Sequence, residues 1–172
     1  MYKILTLAGG YSNEREISLI TAKSVIKELK KDSKYNILLT EPNGNFVKIL
    51  RKFKPDLVLN LLHGRYGEDG YIQAILESEK VKYTHSGVLS SSLAIDKEIS
   101  KKLFKKNNIL TPPYIKFNFQ NNSNLKNIIK KVDKKLKFPV VLKPINEGSS
   151  VNVYICNKSN FIKNLFKLQS YG

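Results

Sequence analysis

Residues 138–156, FPVVLKPINEGSSVNVYIC, place Lys143 at the end of an apolar strand and follow it with a loop carrying Gly148, Ser149 and Ser150. Backbone N–H groups of a Gly/Ser loop can form an anion cradle, and a neighbouring ammonium adds a full charge, a pairing suited to phosphate oxygens. The same residues also make an ordinary hairpin. No Gly-Lys-Ser/Thr opens a helix here, so the loop is not of the Walker type. A second reactive stretch, GGYSNEREIS at residues 9–18, lacks the G-x-G-x-x-G spacing of a dinucleotide site but sets Glu14 and Glu16 at a helix start, where negative charge is favourable. Capping accounts for Glu16. Glu14, nearer the strand end, could instead face a crevice and accept a ligand ammonium. The third place is His63, opening HGRYGEDG directly after a central strand. Ligands of open α/β sheets bind outside the carboxyl ends of the strands. A structural role and a ligand-facing role are equally open for this histidine. His85, in YTHSG, reads as a turn residue.

The elements that must hold these residues follow from hydrophobic spacing. Tyr2–Ala8, Tyr35–Thr40 and the nearly unbroken apolar run Leu57–Leu62 read as strands of a parallel sheet. Asn13 with Glu16 resembles a capping box for a helix reaching about Lys31, with Leu19, Ala22, Val25, Ile26 and Leu29 at helical spacing. Phe46–Phe53 suggests a short helix, and Tyr71 begins another. This strand–helix alternation is a doubly wound α/β unit. Near residue 95 the pattern changes. SSSLAIDKEISKKLFKKNN reads as one amphipathic helix with Leu93, Ile99, Leu103 and Phe104 apolar, and Pro112 and Pro113 then break the chain. A strand at Tyr114–Phe117, a Lys-rich helix at Leu125–Leu136, a hairpin over Val140–Ile155 with Val151, Val153 and Ile155 alternating, and a helix from Asn157 follow, an α+β arrangement. The boundary falls near Ile95, giving domains 1–95 and 96–172.

Composition limits the partners. The 172 residues are 41% hydrophobic with a mean hydropathy of -0.30, values of a globular chain with a core. No apolar run approaches the roughly 18–20 residues of a bilayer span, so no membrane partner is expected. The N-terminus lacks the basic stretch and cleavage site of a secretory signal, and the lone Cys156 excludes an internal disulfide framework, so a cytoplasmic location is expected. A net charge of +16 invites a nucleic-acid reading. However, of 30 basic residues only Arg15, Arg51 and Arg65 are arginine, while Asn and Ile abound and Ala is scarce, the joint bias of an AT-rich coding sequence. The lysines spread over helices and turns, which favours a solvated surface over nucleic-acid binding.

Four blocks, AGGYSNEREISL, LHGRYGEDGYIQAILE, YTHSGVLSSSLAIDK and FPVVLKPINEGSSV, stand in the order and at the spacing of the D-alanine–D-alanine ligases of the ATP-grasp superfamily, and the resemblance covers essentially the whole chain. It implies a Rossmann-like, pre-ATP-grasp parallel-sheet domain over 1–95, followed by the first, central subdomain of an α+β ATP-grasp domain that is incomplete at 172. It also implies ATP-dependent joining of two D-alanines through an acyl phosphate, for peptidoglycan precursors. By resemblance Glu14 binds the first D-alanine's ammonium, His63 lines that subsite, and Ser149 belongs to a hydrogen-bonded relay with that glutamate and a tyrosine. Lys97 and Lys143 contact ATP phosphates. The loop from Glu147 through Gly148 to Val151 folds over them, with Ser150 touching phosphate. Exclusion of water by that loop would protect an acyl phosphate. The family implies Mg2+ as well, with its ligands expected beyond this segment, along with the relay tyrosine and an intermediate-binding arginine. A homodimer is the family's implied assembly. Two departures stand out: Asn152 and His85 occupy positions where the family commonly has glycine. Because the magnesium ligands, the relay tyrosine and the arginine are expected beyond this segment, the 172-residue chain alone is expected to make no dipeptide. A non-catalytic remnant or binding module with weak affinity for D-alanine or nucleotide is the alternative. D-lactate in place of the second D-alanine stays open.

Overall fold

A computed structural model describes residues 1–119, 125–148 and 150–169. The chain divides into two compact units, Met1–Ile95 and Asp96–Gly172.

The first unit is built on a parallel three-stranded sheet. Strand β1 (Tyr2–Leu7) lies between β2 (Tyr35–Thr40) and β3 (Leu57–Asn60), in the order β2-β1-β3. Leu5 pairs with Leu38 on one side and Val58 on the other. A further parallel bridge, Val58 to Tyr83, extends the sheet beyond β3. Helices α1 (Arg15–Leu29), α2 (Phe46–Phe53), α3 (Tyr71–Ser78) and α4 (Val88–Ile95) complete the unit. Leu5, Leu7, Phe46, Leu50, Val58, Leu62, Ile72 and Leu76 form one buried cluster, so the core joins β1 and β3 to α2 and α3. Helix α1 buries the small residues Ser18 and Ala22, which allow close approach to the sheet. Ser18 is a clasp: its hydroxyl accepts from Gly9 N at 2.8 Å and donates to Leu61 O at 2.7 Å, tying the segments that follow β1 and β3 together.

The second unit contains α5 (Lys97–Lys106), α6 (Leu125–Leu136), the antiparallel pair β4 (Val140–Leu142) and β5 (Tyr154–Cys156), and α7 (Phe161–Lys167). Its core gathers Ile128, Val132, Cys156, Phe161 and Leu165. On the opposite face of the two-stranded sheet the cross-strand pair Val141 and Ile155 is 59% and 76% exposed.

Four expectations are corrected. The helix expected across SSSLAIDKEISKKLFKKNN is two helices. Asp96 takes an extended conformation and caps α5, its carboxylate accepting from Glu98 N at 2.8 Å and Ile99 N at 2.9 Å, so the chain must leave α4 before α5 begins. Ile99, Leu103 and Phe104 on α5 are exposed. Asn13 and Glu16 form no capping box, since α1 starts at Arg15 after Glu14 and no side chain caps it. Tyr114–Phe117 belongs to no strand among the described residues. The segment packs Ile115 and Phe117 onto the second core without a ladder partner. The second hairpin strand starts only at Tyr154, because Val151 N bonds to Gly148 O and Val153 N to Ser150 O, closing turns in which Ser150 and Asn152 have positive φ.

Asp96→Ala removes the acceptor for two orphan N–H groups at the start of α5. It is expected to destabilise the protein by about 1 kcal/mol, read from the denaturant midpoint, whereas Asp96→Asn retains most of the cap.

Candidate functional site

The loops after β1 and β3 converge. Ser12 Oγ donates to His63 O at 2.7 Å and accepts from Glu14 N at 3.1 Å, so one hydroxyl fixes the backbone of both candidate residues. Glu14, the residue before α1, is 3% exposed, and neither carboxylate oxygen has a hydrogen-bond partner. Buried carboxylates are ordinarily paired, since unpaired charge in a low-dielectric site is costly. This one faces Gly64, where an added Cβ would stand 2.9 Å from Oε1, and Gly64 itself has φ +69°, a conformation suited to glycine. The Glu14 carboxylate therefore lies beside the residue that follows His63.

The imidazole of His63 is held from α1. Thr21 Oγ1 lies 2.9 Å from Ile17 O and 3.3 Å from His63 Nε2. His63 Nδ1 faces Glu68, 3.8 Å away, with no direct hydrogen bond. Glu68 in turn accepts from Gly64 N at 2.9 Å. His85 occupies its turn with φ +88° and its Nδ1 accepts from Asn60 Nδ2 at 3.0 Å. The same amide donates to Gly67 O at 2.9 Å, bracing the HGRYGEDG loop. Thr21, Glu68 and Ser12 were not singled out in the sequence. Thr21 stands seven residues after Glu14 on α1, but threonine on a helix is too ordinary a signal to mark a histidine contact.

In the second unit Lys97 and Lys143 come together. The Lys97 ammonium donates to Ile145 O at 3.0 Å and to Glu147 O, fastening the start of α5 to the loop after β4. Burial first, and then the charge of Lys143, hold Lys97 below the usual lysine pKa, while Glu147 and Asp96 oppose the shift. Gly148 and Ser150 sit in the turn closed by Val151 N and Val153 N. Lys143 is exposed at the end of β4. Asn152 has φ +54°, a left-handed conformation that Asn tolerates better than most residues. Ser149 lies outside the described residues.

These features have counterparts in known proteins. The family described as D-ala D-ala ligase C-terminus matches residues 103–170. A D-alanine–D-alanine ligase of Pelagibacter ubique (strain HTCC1062) is 63% identical over 170 residues, covering 99% of this chain and 55% of that protein. One from Carboxydothermus hydrogenoformans is 41% identical over 167 residues, covering 96% of this chain and 53% of that protein. The crystal structure of D-alanine–D-alanine ligase from Bacillus anthracis superimposes with a TM-score of 0.82 at 36% identity, over 99% of this chain and 55% of that one. Its complex with ATP gives 0.79 at 32%, over 99% and 56%. The fold is thus the mixed α/β architecture of ligases with an ATP-grasp fold. Over nearly its whole length the chain is similar to D-alanine–D-alanine ligases, and residues 103–170 match the family described as D-ala D-ala ligase C-terminus. It spans about half the length of the curated relatives it matches.

Glu14→Met removes both unpartnered oxygens with little change in volume. It is expected to raise the stability of the first unit by about 1–3 kcal/mol, measured by denaturant unfolding. A loss of stability would show that the carboxylate is satisfied in solution.

Proposed function

We propose that this chain supplies the D-alanine-binding and ATP-phosphate-binding parts of an ATP-dependent D-alanine–D-alanine ligase that acts in peptidoglycan precursor synthesis. The observation that carries the reading is Glu14, a carboxylate kept buried and unpaired beside His63 in a chain whose relatives bear that name. A buried anion without a partner stores an unfavourable energy that a ligand ammonium relieves, forming a charge-assisted hydrogen bond. The amino group of D-alanine meets that requirement. His63, in contact with Thr21 on α1, stands beside that carboxylate's segment and limits which ligand shape fits.

Residues of the second unit fit the phosphates of ATP. Lys97 and Lys143 offer two positive charges, and the turn of Glu147, Gly148 and Ser150 fixes the loop beside them. Ser149 belongs to the same proposal by its place in that loop. ATP, when bound, supplies the phosphoryl group that activates a carboxylate, and the lysines hold its charge. Among the described residues no group of three or more His, Cys, Asp or Glu could hold a metal ion, and the roles assigned to this chain are those of binding charged groups. Among them, too, no helix is long and apolar enough to cross a membrane.

Titration of the 172-residue chain with D-alanine, followed by NMR, tests the first part. Glu14→Gln is expected to weaken binding about tenfold or more, the worth of a charge-assisted contact of roughly 1.5–3 kcal/mol. Equal affinity in the two proteins would sink the assignment. In calorimetry with ATP, Lys143→Ala is expected to lose a similar factor while Lys134→Ala, on the exposed side of α6, changes little. Equal losses would point to general surface charge.

A further inference from the structure

Helix α5 sorts its lysines by side. Lys102 pairs with Glu98 at 2.8 Å, and Lys116 reaches the same carboxylate at 2.6 Å, so positive charge there is compensated locally. Lys97 and Lys101 are one turn apart, on one face of the helix. Among the described residues Lys101 has no carboxylate partner. Its ammonium donates to Thr111 Oγ1 and to Pro112 O, both at 2.8 Å, and its aliphatic chain carries the charge past the Tyr114 ring, 5.5 Å from the ring centroid. An ammonium has three donors, so one remains for a ligand. Lys143 repels both Lys97 and Lys101, and burial with that repulsion lowers the proton affinity of each. Lys97 and Lys101 are thus each held by neutral oxygens in the field of Lys143, with Glu147 and Asp96 offsetting part of that field at Lys97. Such an arrangement costs free energy until an anion with several charges occupies it.

We propose that Lys101 is a third cation of the polyphosphate-binding surface of the second unit, fixed by Thr111 and Pro112 and acting beside Lys97 and Lys143. The inference rests on the phosphate-binding reading of that unit and adds to it a residue outside the loop. Thr111 and Pro112, in the break between α5 and the extended segment that follows, become its supports. Tyr114 shields one side of the lysine stem from water, which strengthens the field its charge exerts.

The test is calorimetric titration of the 172-residue chain with inorganic tripolyphosphate and, separately, with ATP, at two salt concentrations. Lys101→Met is expected to weaken tripolyphosphate binding about three- to fivefold and to make the remaining affinity less sensitive to salt. Lys101→Arg keeps the charge and is expected to bind as the unsubstituted protein does, which separates lost charge from lost folding. Thr111→Val removes one support and keeps the charge, and is expected to change affinity less than Lys101→Met. The inference is overturned if Lys101→Met binds as tightly as the unsubstituted chain while Lys143→Ala is weakened, or if Thr111→Val and Lys101→Met lose equally, since the lysine would then serve only to brace the chain. If the unsubstituted chain binds no tripolyphosphate, the phosphate reading itself fails and the inference with it.

Discussion

Strand β1 is hydrogen-bonded on both sides to parallel neighbours, and parallel pairing permits no tight turn between partners. Each strand is followed by a crossover that carries the chain back to the same starting edge. The loops after β1 and β3 are therefore forced out at one end of the sheet. Ser18 then bonds the backbone at Gly9 and Leu61 through one hydroxyl, and Ser12 does the same for Glu14 and His63. Two serines convert a general property of parallel sheets into a fixed approach of the backbone at Glu14 to the backbone at His63. The apolar cluster of Leu5, Leu7, Val58, Ile72 and Leu76 beneath them keeps that end of the sheet from relaxing.

On the proposed reading, the unsatisfied Glu14 stores binding capacity. A carboxylate in water has nothing to gain from a ligand ammonium beyond a modest exchange of hydrogen bonds. A carboxylate already stripped of solvent and left unpaired gains most of a charge-assisted bond. The protein bears that cost in the absence of ligand, and the close approach of Gly64 maintains it by leaving no space on that side. Crowded lysines store free energy in the second unit by a different route. There the penalty is the repulsion of Lys97 and of Lys101 by Lys143, and backbone carbonyls and a threonine hydroxyl hold Lys97 and Lys101 without cancelling their charge.

Two positions where the family resemblance leads one to expect glycine retain glycine-like backbone. His85 and Asn152 have φ of +88° and +54°. Neither turn opens to relieve the side chain. At His85 the imbalance is offset by a hydrogen bond to Asn60 that glycine could not make, and at Asn152 the side-chain amide oxygen accepts from the Tyr154 hydroxyl at 3.2 Å. Local contacts thus hold a conformation that the residue type disfavours.

The sequence alone placed the strands of the first unit, because continuous apolar runs such as Leu57–Leu62 have few other uses, although β3 ends at Asn60, and it marked the short helix through Phe46, Ile49, Leu50 and Phe53. It also marked Glu14, His63 and Lys143 by their places after strands, and Lys97 only through a four-block resemblance. Tertiary structure decided what spacing could not. Asp96 reads as one polar residue within a helical run until its carboxylate is seen to cap α5 and split that run. Val151 and Val153 alternate like a strand, yet two turns use their N–H groups first. Thr21 and Lys101 carry no signal because their roles depend on which hydroxyl or carbonyl meets them from elsewhere in the fold. Periodicity records which face of an element is apolar. Which polar atoms find partners, and which are left without one, is fixed only when distant segments are brought together.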